Sequence, residues 1–381
     1  MSAEANAPVE ELLRQAGALE DGPSRIALLE EAVRLADSHN DVALGYRVRK
    51  ELTKAGTFGG YPEKALVSFS WCLAQCDRRP EEFRDIDLLW HYKWVTNHLA
   101  LFPQFSREQI EAMLEDMTRR YRRAGVSLRA VQKLRRDLAV EMGDPDAAAR
   151  HHLLWLASPR GWPADCPACD QNALAEYLVF AGKDEAALEA ARPILQGTLR
   201  CTCIPHCTLA LVLLPLFRLG RLAETVAHHQ KGYRLILRNR NYLKEAARHL
   251  AFLTLTDNLS RCVVLLERHL PWALETAEVG NRFEFYLAAR LLAERLRDAG
   301  RAAVRLRLPR AFPLYEDGGR YETAVLLAWL EGALQGLAAR FDARNGNDSF
   351  RRRLAENRRL KEQVIPFPVS GRPSAKGAGE P

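Results

Sequence analysis

Short turns of similar texture recur along this chain at a nearly constant spacing. A glycine or asparagine that follows one apolar stretch and precedes the next recurs every 38 or 39 residues, at Gly143, Gly182, Gly220 and Asn258. Gly22 and Gly60 repeat the pattern upstream, again 38 residues apart. A period of this length fits one helix–turn–helix unit, which can bury its apolar stripe only against a neighbouring unit. The spacing therefore predicts a stacked array of helix pairs.

Residue usage between the turns favours helices. The chain is rich in Ala, Leu, Arg and Glu, which are strong helix formers, and strand-like alternation is scarce. We expect first helices of units at Asn172–Ala181, Thr208–Leu219 and Leu243–Thr256. The residue that ends such a helix is commonly a glycine in the left-handed conformation. The predicted fold class is all-α, a right-handed α-solenoid of stacked antiparallel helix pairs.

The turns, the small residues in the second helix of each unit and the period together resemble the tetratricopeptide repeat family over roughly residues 20–275. The units here are longer than the family's 34 residues, and its regular Trp and Tyr positions are missing. Residues 165–272 are also similar to a group of bacterial repeat proteins, through the loops DCPAC and RC…PH, the KGYRL helix and the ERHLPWAL end. The resemblance implies a TPR-like solenoid that binds a protein or peptide.

Pattern changes along the chain predict three regions. Residues 1–280 carry the repeat array, and residues 281–363 are expected to form an irregular helical cap, because terminal units of solenoids are atypical. Residues 301–319 read as a loop in this cap. Residues 364–381 are rich in Pro, Gly and Ser, and we predict that this tail is disordered.

Two loops one repeat apart concentrate Cys and His. Cys166 and Cys169 lie in DCPAC, and CTCIPHC supplies Cys201 and His206. Equivalent loops of adjacent units lie side by side in a solenoid, so the four residues form the pattern C-x2-C…C-x4-H of a structural zinc site. We predict a Zn²⁺ ion held by these four residues. Cys203 or Cys207 could replace one ligand, and packed thiols without metal, a redox disulfide or a catalytic thiol are the alternatives.

Other features bear on partners. The eight basic residues between 118 and 139, and a second cluster at 351–361, could contact nucleic acid phosphates or form solvated faces. The aromatic run WHYKWVTNHLALF at 90–102 could form core or supply binding anchors. The net charge of +7 is small for 381 residues. The N-terminus lacks a secretory signal pattern and no apolar run is long enough for a membrane span, so we expect a cytoplasmic protein without a membrane partner.

Signatures of the common enzyme classes are missing from the sequence. It has no phosphate-binding loop, dinucleotide fingerprint, H-E-x-x-H or G-x-S-x-G. The glycine cluster GTFGGYPEK at 56–64 follows a predicted helix and indicates an inter-helix turn. We therefore expect a scaffold or adaptor that binds a protein or peptide on the concave face. A nucleic-acid-associated regulator, or a thiol- or metal-dependent enzyme, is the alternative function.

Overall fold

A computed structural model describes residues 3–369 of the chain. The fold is all-α, with neighbouring helices packed in pairs and one small two-stranded sheet in the described part. The chain divides into two compact units. The first comprises Met1–Ala173, Thr276–Gly280 and Arg340–Asn347, and the second comprises Leu174–Glu275, Asn281–Ala339 and Asp348–Pro381. The predicted boundary at residue 280 between array and cap stays a prediction.

The first unit contains a regular stack of helix pairs. Its complete helices are α1 (Ala3–Gly17), α2 (Pro23–Ser38), α3 (Val42–Gly59), α4 (Pro62–Arg78), α5 (Leu89–His98), α6 (Arg107–Arg123), α7 (Arg129–Met142) and α8 (Pro145–Ala157). Helices α3, α5 and α7 contact one another in turn, and each packs on its own partner, α4, α6 or α8. This row of α3, α5 and α7, each with its own partner helix, is the arrangement that the helix-pair period predicts.

The second unit continues the pattern after α9 (Pro167–Phe180), within which the division of the chain falls. It contains α10 (Asp184–Leu195), α11 (His206–Leu211), α12 (Leu213–Arg218), α13 (Leu222–Ile236), α14 (Leu243–Leu255) and α15 (Leu259–Glu275), then most of α16 (Val279–Asp298) and α17 (Thr323–Asn345), and α18 (Ser349–Arg359). The predicted helix Thr208–Leu219 is interrupted between α11 and α12. Pro215 explains the break, because it lacks an N–H and its ring crowds the carbonyl four residues earlier.

The predicted turns differ in how they end their helices. The backbone is left-handed at Gly60, Gly143, Gly182 and Gly220, with φ between 70° and 82°. Gly22 is extended instead, with φ 169°. At the last turn the left-handed residue is Asp257, with φ 59°, rather than Asn258. An aspartate tolerates this conformation better than most residues, so the turn survives without glycine and Asn258 is shifted to the start of α15.

Two regions after residue 300 differ from expectation. The predicted loop at 301–319 contains β1 (Ala303–Arg305), which pairs antiparallel with β2 (Arg320–Glu322) through the partners Val304 and Tyr321. Residues 364–369, assigned above to a disordered tail, are extended and hydrogen-bonded to the α14–α15 corner. The rest of the predicted tail, residues 370–381, lies outside the described residues.

One helix has the length and apolar composition of a membrane span. This helix is α17, and core helices of soluble proteins meet the same criteria. Leu326, Leu330, Leu334 and Phe341 of α17 are almost fully buried in the protein.

The packing of the helices can be tested at Gly232, where neighbouring side chains lie very close. An added Cβ would lie 2.8 Å from Leu209 Cβ and 3.3 Å from the His249 ring, so we expect Gly232→Ala to lower the free energy of unfolding by about 1–3 kcal/mol. Gly336→Ala in α17 is the matched control, because nothing lies within 4 Å of its Cβ position; helix propensity should make it stabilising by about 0.5–1 kcal/mol. Urea denaturation measures both, and equal effects would contradict this packing.

Candidate functional site

The first cysteine loop is built into the start of α9. Pro167 is the first residue of the helix, a position where its missing N–H costs no hydrogen bond. The Cys166 Sγ accepts a hydrogen bond from the Cys169 backbone N–H at 3.4 Å, as an N-cap side chain does. Two thiols three residues apart share one helix face.

The second cysteine loop precedes α11. Cys201 and Ile204 exchange backbone hydrogen bonds of 3.2 and 3.3 Å, which closes a tight loop. Burial raises the pKa of the Cys207 thiol well above its ordinary value, and the carboxylates of Glu245 and Glu176 raise it further, so Cys207 is a neutral thiol at pH 7. Cys201 and Cys203 are half-buried.

Three of the four predicted ligands are found together. The Sγ atoms of Cys166, Cys169 and Cys201 all lie within 4.8 Å of one another. Tetrahedral zinc ligands with Zn–S bonds of about 2.3 Å are roughly 3.8 Å apart, so the three thiols are within reach of a common metal ion. His206 is not in this group. Its ring stacks on Tyr242, with centroids 5.3 Å apart and an interplanar angle of 8°. The predicted role of His206 as fourth ligand stays a prediction.

Buried cations fix the loop that leads to Cys166. Lys93 Nζ donates to the Pro163 carbonyl at 2.9 Å and pairs with Asp165, and Lys133 Nζ lies 3.3 Å from the same carboxylate. Only 6% of the Lys93 side chain is exposed. Burial alone would raise the pKa of Asp165, but Lys133 and Lys93 outweigh it and lower that pKa to about 2. Asp165 is therefore charged at neutral pH and held on both sides.

A second carboxylate is fixed on the other side of the cysteines. Asp170 pairs with Arg129 at 3.1 Å and with Arg160. Arg129 also donates to the carbonyls of Trp155 and Ser158, at the end of α8. Asp165 and Asp170 thus bracket the CPAC segment. The sequence analysis placed Arg129 and Lys133 in the basic run but did not predict these ion pairs, although a lysine among core positions, such as Lys93 between Tyr92 and Val95, is a signal of a buried ion pair.

The aromatic run at 90–102 divides between core and surface. Tyr92 is fully buried and donates to Asp116. Trp90, His91 and Trp94 are partly buried on the same helix. The Trp94 ring lies 6.3 Å from Trp90, 5.2 Å from His91 and, edge-on, 5.0 Å from Phe58 of α3. We call Phe58, Trp90, His91 and Trp94 the aromatic cluster.

Two lysines flank the aromatic cluster. Lys50, Lys54 and Phe58 are spaced four residues apart, which places them on one face of α3. Burial is the main reason that the pKa of His91 falls to about 4, and the charges of Lys50 and Lys54 contribute. His91 is therefore neutral at pH 7, and the surface offers aromatic rings beside two ammonium groups.

A groove also opens between α6 and α8, with α7 as its floor. Its volume is about 710 Å³, and its apolar lining includes Ile110, Leu138 and Met142. The charges on its walls are mostly paired within the protein: Arg135 lies 2.5 Å from both Glu111 and Glu115. The groove therefore has little net charge to select a ligand.

The basic run at 118–139 is neutralised within the first unit. Seven of its cations pair with carboxylates: Arg119, Arg120, Arg123, Arg129, Lys133, Arg135 and Arg136. Arg120 alone contacts Asp77, Asp85 and Asp116. Ion pairs of this kind leave few cations to bind a phosphate backbone. In the second cluster Arg353 pairs with Glu284 and Arg358 with Glu331.

Neither the models of known protein families nor the curated proteins match this chain.

The Lys93–Asp165 pair can be tested against an exposed ion pair. Lys93→Met leaves the Asp165 carboxylate with Lys133 as its remaining partner, and breaking buried pairs costs about 3–5 kcal/mol. Because Lys133 remains, we expect a loss of about 2 kcal/mol in the free energy of unfolding, measured by urea denaturation. The control is Arg119→Met, whose side chain is 67% exposed and pairs with Asp116; it should change stability by less than about 0.5 kcal/mol. Equal losses would show that Lys93 does not hold the loop.

Proposed function

We propose that this protein is a scaffold that binds a protein or peptide segment on the row of helices α3, α5 and α7, and that it is not an enzyme. The observation that carries this proposal is the aromatic cluster, whose rings are only partly buried. Tryptophan anchors are enriched in binding hot spots because a large rigid side chain contributes much contact area at little entropic cost. These rings lie on helices held by the core, so their positions are fixed before a partner binds.

The two lysines beside the aromatic cluster indicate which kind of partner would bind there. Lys50 and Lys54 favour a segment that carries carboxylates next to its apolar side chains. A nucleic acid could also stack on the rings, but the neutralised basic run argues against an extended phosphate contact. We therefore propose an acidic, partly apolar peptide segment as the partner.

We further propose that Cys166, Cys169 and Cys201 bind a structural zinc ion. Thiolate sulfur is a soft ligand that selects Zn²⁺ over hard cations, and three thiolates need one more ligand to complete a tetrahedral site. His206 or Cys203, from the loop that carries Cys201, would supply it. Four protein ligands leave no position for a reactive water, so the ion would stabilise the two loops rather than catalyse a reaction.

Affinity capture tests the scaffold proposal. The full chain is used as bait in lysate of its native host, with and without nuclease, beside Trp90→Ala and Trp94→Ala variants. We expect one abundant protein to be retained in both arms and reduced at least tenfold for both tryptophan variants, because each loses a central anchor. The control is Val67→Ala, a side chain that is 72% exposed and lies on α4 rather than on α3, α5 or α7. If recovery falls sharply on nuclease treatment, the result would favour a nucleic-acid partner. If both tryptophan variants retain as much protein as the unaltered chain, the aromatic cluster would be rejected as the binding surface. Matching melting curves are required of all variants.

Metal analysis tests the zinc proposal separately. Protein purified under reducing conditions should contain about one zinc per molecule, and Cys166→Ser or Cys201→Ser should lose it. Comparison of His206→Asn with Cys203→Ser then identifies the fourth ligand, because only the true ligand's variant should release zinc to a chelator faster. Absence of metal, with the thiols of Cys166, Cys169 and Cys201 freely titratable, would contradict the proposal.

A further inference from the structure

The segment of residues 364–369, VIPFPV, lies extended across the corner between α14 and α15. The Ile365 N–H donates to the Leu255 carbonyl at 2.9 Å, and the Phe367 N–H donates to the Thr256 carbonyl at 3.1 Å. The Val369 N–H donates to Asn258 Oδ1 at 3.1 Å. We call these six residues the C-terminal segment.

Hydrogen bonding in the C-terminal segment is one-sided and matches its proline pattern. In an extended chain alternate residues direct their N–H groups to the same side. Ile365, Phe367 and Val369 direct theirs to the corner, and Pro366 and Pro368 occupy the alternate positions, where no N–H is needed. The sequence therefore fixes both the extended conformation and the register of the segment.

The corner offers acceptors that the helix cannot satisfy itself. A helix leaves its last carbonyls without intrahelical partners. The turn at the end of α14 satisfies Leu253 and Thr254 through the N–H groups of Asn258 and Asp257, and the carbonyls of Leu255 and Thr256 accept from the C-terminal segment. The left-handed Asp257 turns the chain away at this point and leaves the Leu255 carbonyl open to an extended strand. The Thr256 carbonyl accepts from Asn258 Nδ2 at 3.0 Å as well as from the segment.

The side-chain amide of Asn258 binds the backbone of the C-terminal segment through both its nitrogen and its oxygen. Its Nδ2 donates to the Phe367 carbonyl at 2.9 Å, and its Oδ1 accepts from the Val369 N–H. The same Nδ2 lies 2.9 Å from Thr256 Oγ1, which fixes the amide orientation. Gln230 of α13 donates to the Val369 carbonyl at 2.8 Å. Two amide side chains and two helix carbonyls thus converge on one extended strand.

The C-terminal segment is held through its backbone more than through apolar burial. Val369 is 1% exposed, but Ile365 is 45% exposed and both prolines face solvent. A strand held in this way recognises main-chain geometry plus one side-chain pocket, as in peptide recognition by strand addition. Little apolar surface has to be re-exposed when such a strand leaves.

We propose that the α14–α15 corner is a peptide-binding site for an extended segment with prolines at alternate positions and a buried valine, Φ-Pro-Φ-Pro-Val, where Φ is an apolar residue. The chain's own C-terminal segment occupies the site, and a partner protein's segment of the same pattern replaces it. This site is distinct from the aromatic cluster and does not depend on the proposed function of that surface. Tethering gives the chain's own segment a high effective concentration, so a free competitor binds weakly until the tether is removed.

Two truncations test this site. A chain that ends at Gln363 lacks the segment, and a chain that ends at Val369 keeps it and is the matched control. A fluorescein-labelled VIPFPVS peptide should bind the chain ending at Gln363 at least tenfold more tightly than the control or the full chain, by fluorescence anisotropy. No saturable binding to a folded chain ending at Gln363 would overturn the proposal. Concentration-dependent dimers of the full chain that vanish on truncation at Gln363 would also overturn it, because they would assign the site to a second copy.

Variants that remove single hydrogen bonds distinguish specific recognition of the peptide from nonspecific binding. In the chain ending at Gln363, Asn258→Asp keeps a residue suited to the start of α15 but removes the donor to the Phe367 carbonyl, and it should weaken peptide binding at least tenfold. A peptide methylated on the Phe367 nitrogen should lose at least tenfold in affinity, whereas one with Pro366→Ala should lose only a few-fold. Equal binding of all these forms would overturn the proposal.

If the chain ending at Gln363 does not fold, the full chain with Val369→Asp carries the same test. A charge at this buried position should release the segment, and the labelled peptide should then bind at least tenfold more tightly than it binds the unaltered full chain. Unchanged affinity, with Ile365 and Phe367 amides exchanging at solvent rates, would overturn the proposal.

Discussion

Backbone groups left without partners at the helix ends are the constraint on which this structure depends. A chain of short helices has many such ends, and each buried N–H or carbonyl needs a partner from outside its own helix. Arg344 illustrates the demand: it donates to the carbonyls of Ala100, Phe102 and Phe105, and burial lowers its pKa to about 10. Asn347 likewise donates to the Met142 carbonyl. The sites described above use the same groups, since Cys166 accepts an N–H at the start of α9 and the C-terminal segment donates to carbonyls at the end of α14.

Buried ion pairs restrict the conformation of the loop that carries Cys166 and Cys169. The proposed zinc site would need a rigid loop, because ligands left free to move lose binding energy to their own ordering. Lys93 and Lys133 hold Asp165, and Arg129 and Arg160 hold Asp170, so CPAC is fixed from both sides. These ion pairs add little to the free energy of folding by themselves, since desolvation offsets much of the attraction between buried ions. These ion pairs fix one loop geometry, which accounts for the buried Lys93 among the core residues of α5.

Features that depend on a few neighbouring residues could be predicted from the sequence. Left-handed glycines, helix periodicity and the C-x2-C spacing act over a few residues, so the helix pairs and the grouping of Cys166 and Cys169 follow from short patterns. The turn at Asp257 was misplaced by one residue because an aspartate and an asparagine are both tolerated in the left-handed conformation. The β1–β2 pair and the partners of Lys93 were missed because they join residues far apart in the chain: Lys93 lies more than seventy positions from Asp165. No local pattern encodes such a contact.

The C-terminal segment shows how composition can mislead where order matters. Prolines with glycines and serines indicate disorder when they are counted, because such segments bury little apolar surface. The order of residues in IPFPV carries different information: a proline at every second position removes donors from one edge of an extended strand and leaves them on the other. Such a strand can bind only a one-sided row of acceptors, and the carbonyls of Leu255 and Thr256 with the Asn258 amide form one. The two prolines also restrict the free chain, which lowers the entropy lost on binding. Alternation of this kind therefore identifies a segment whose order depends on a complementary site elsewhere in the fold.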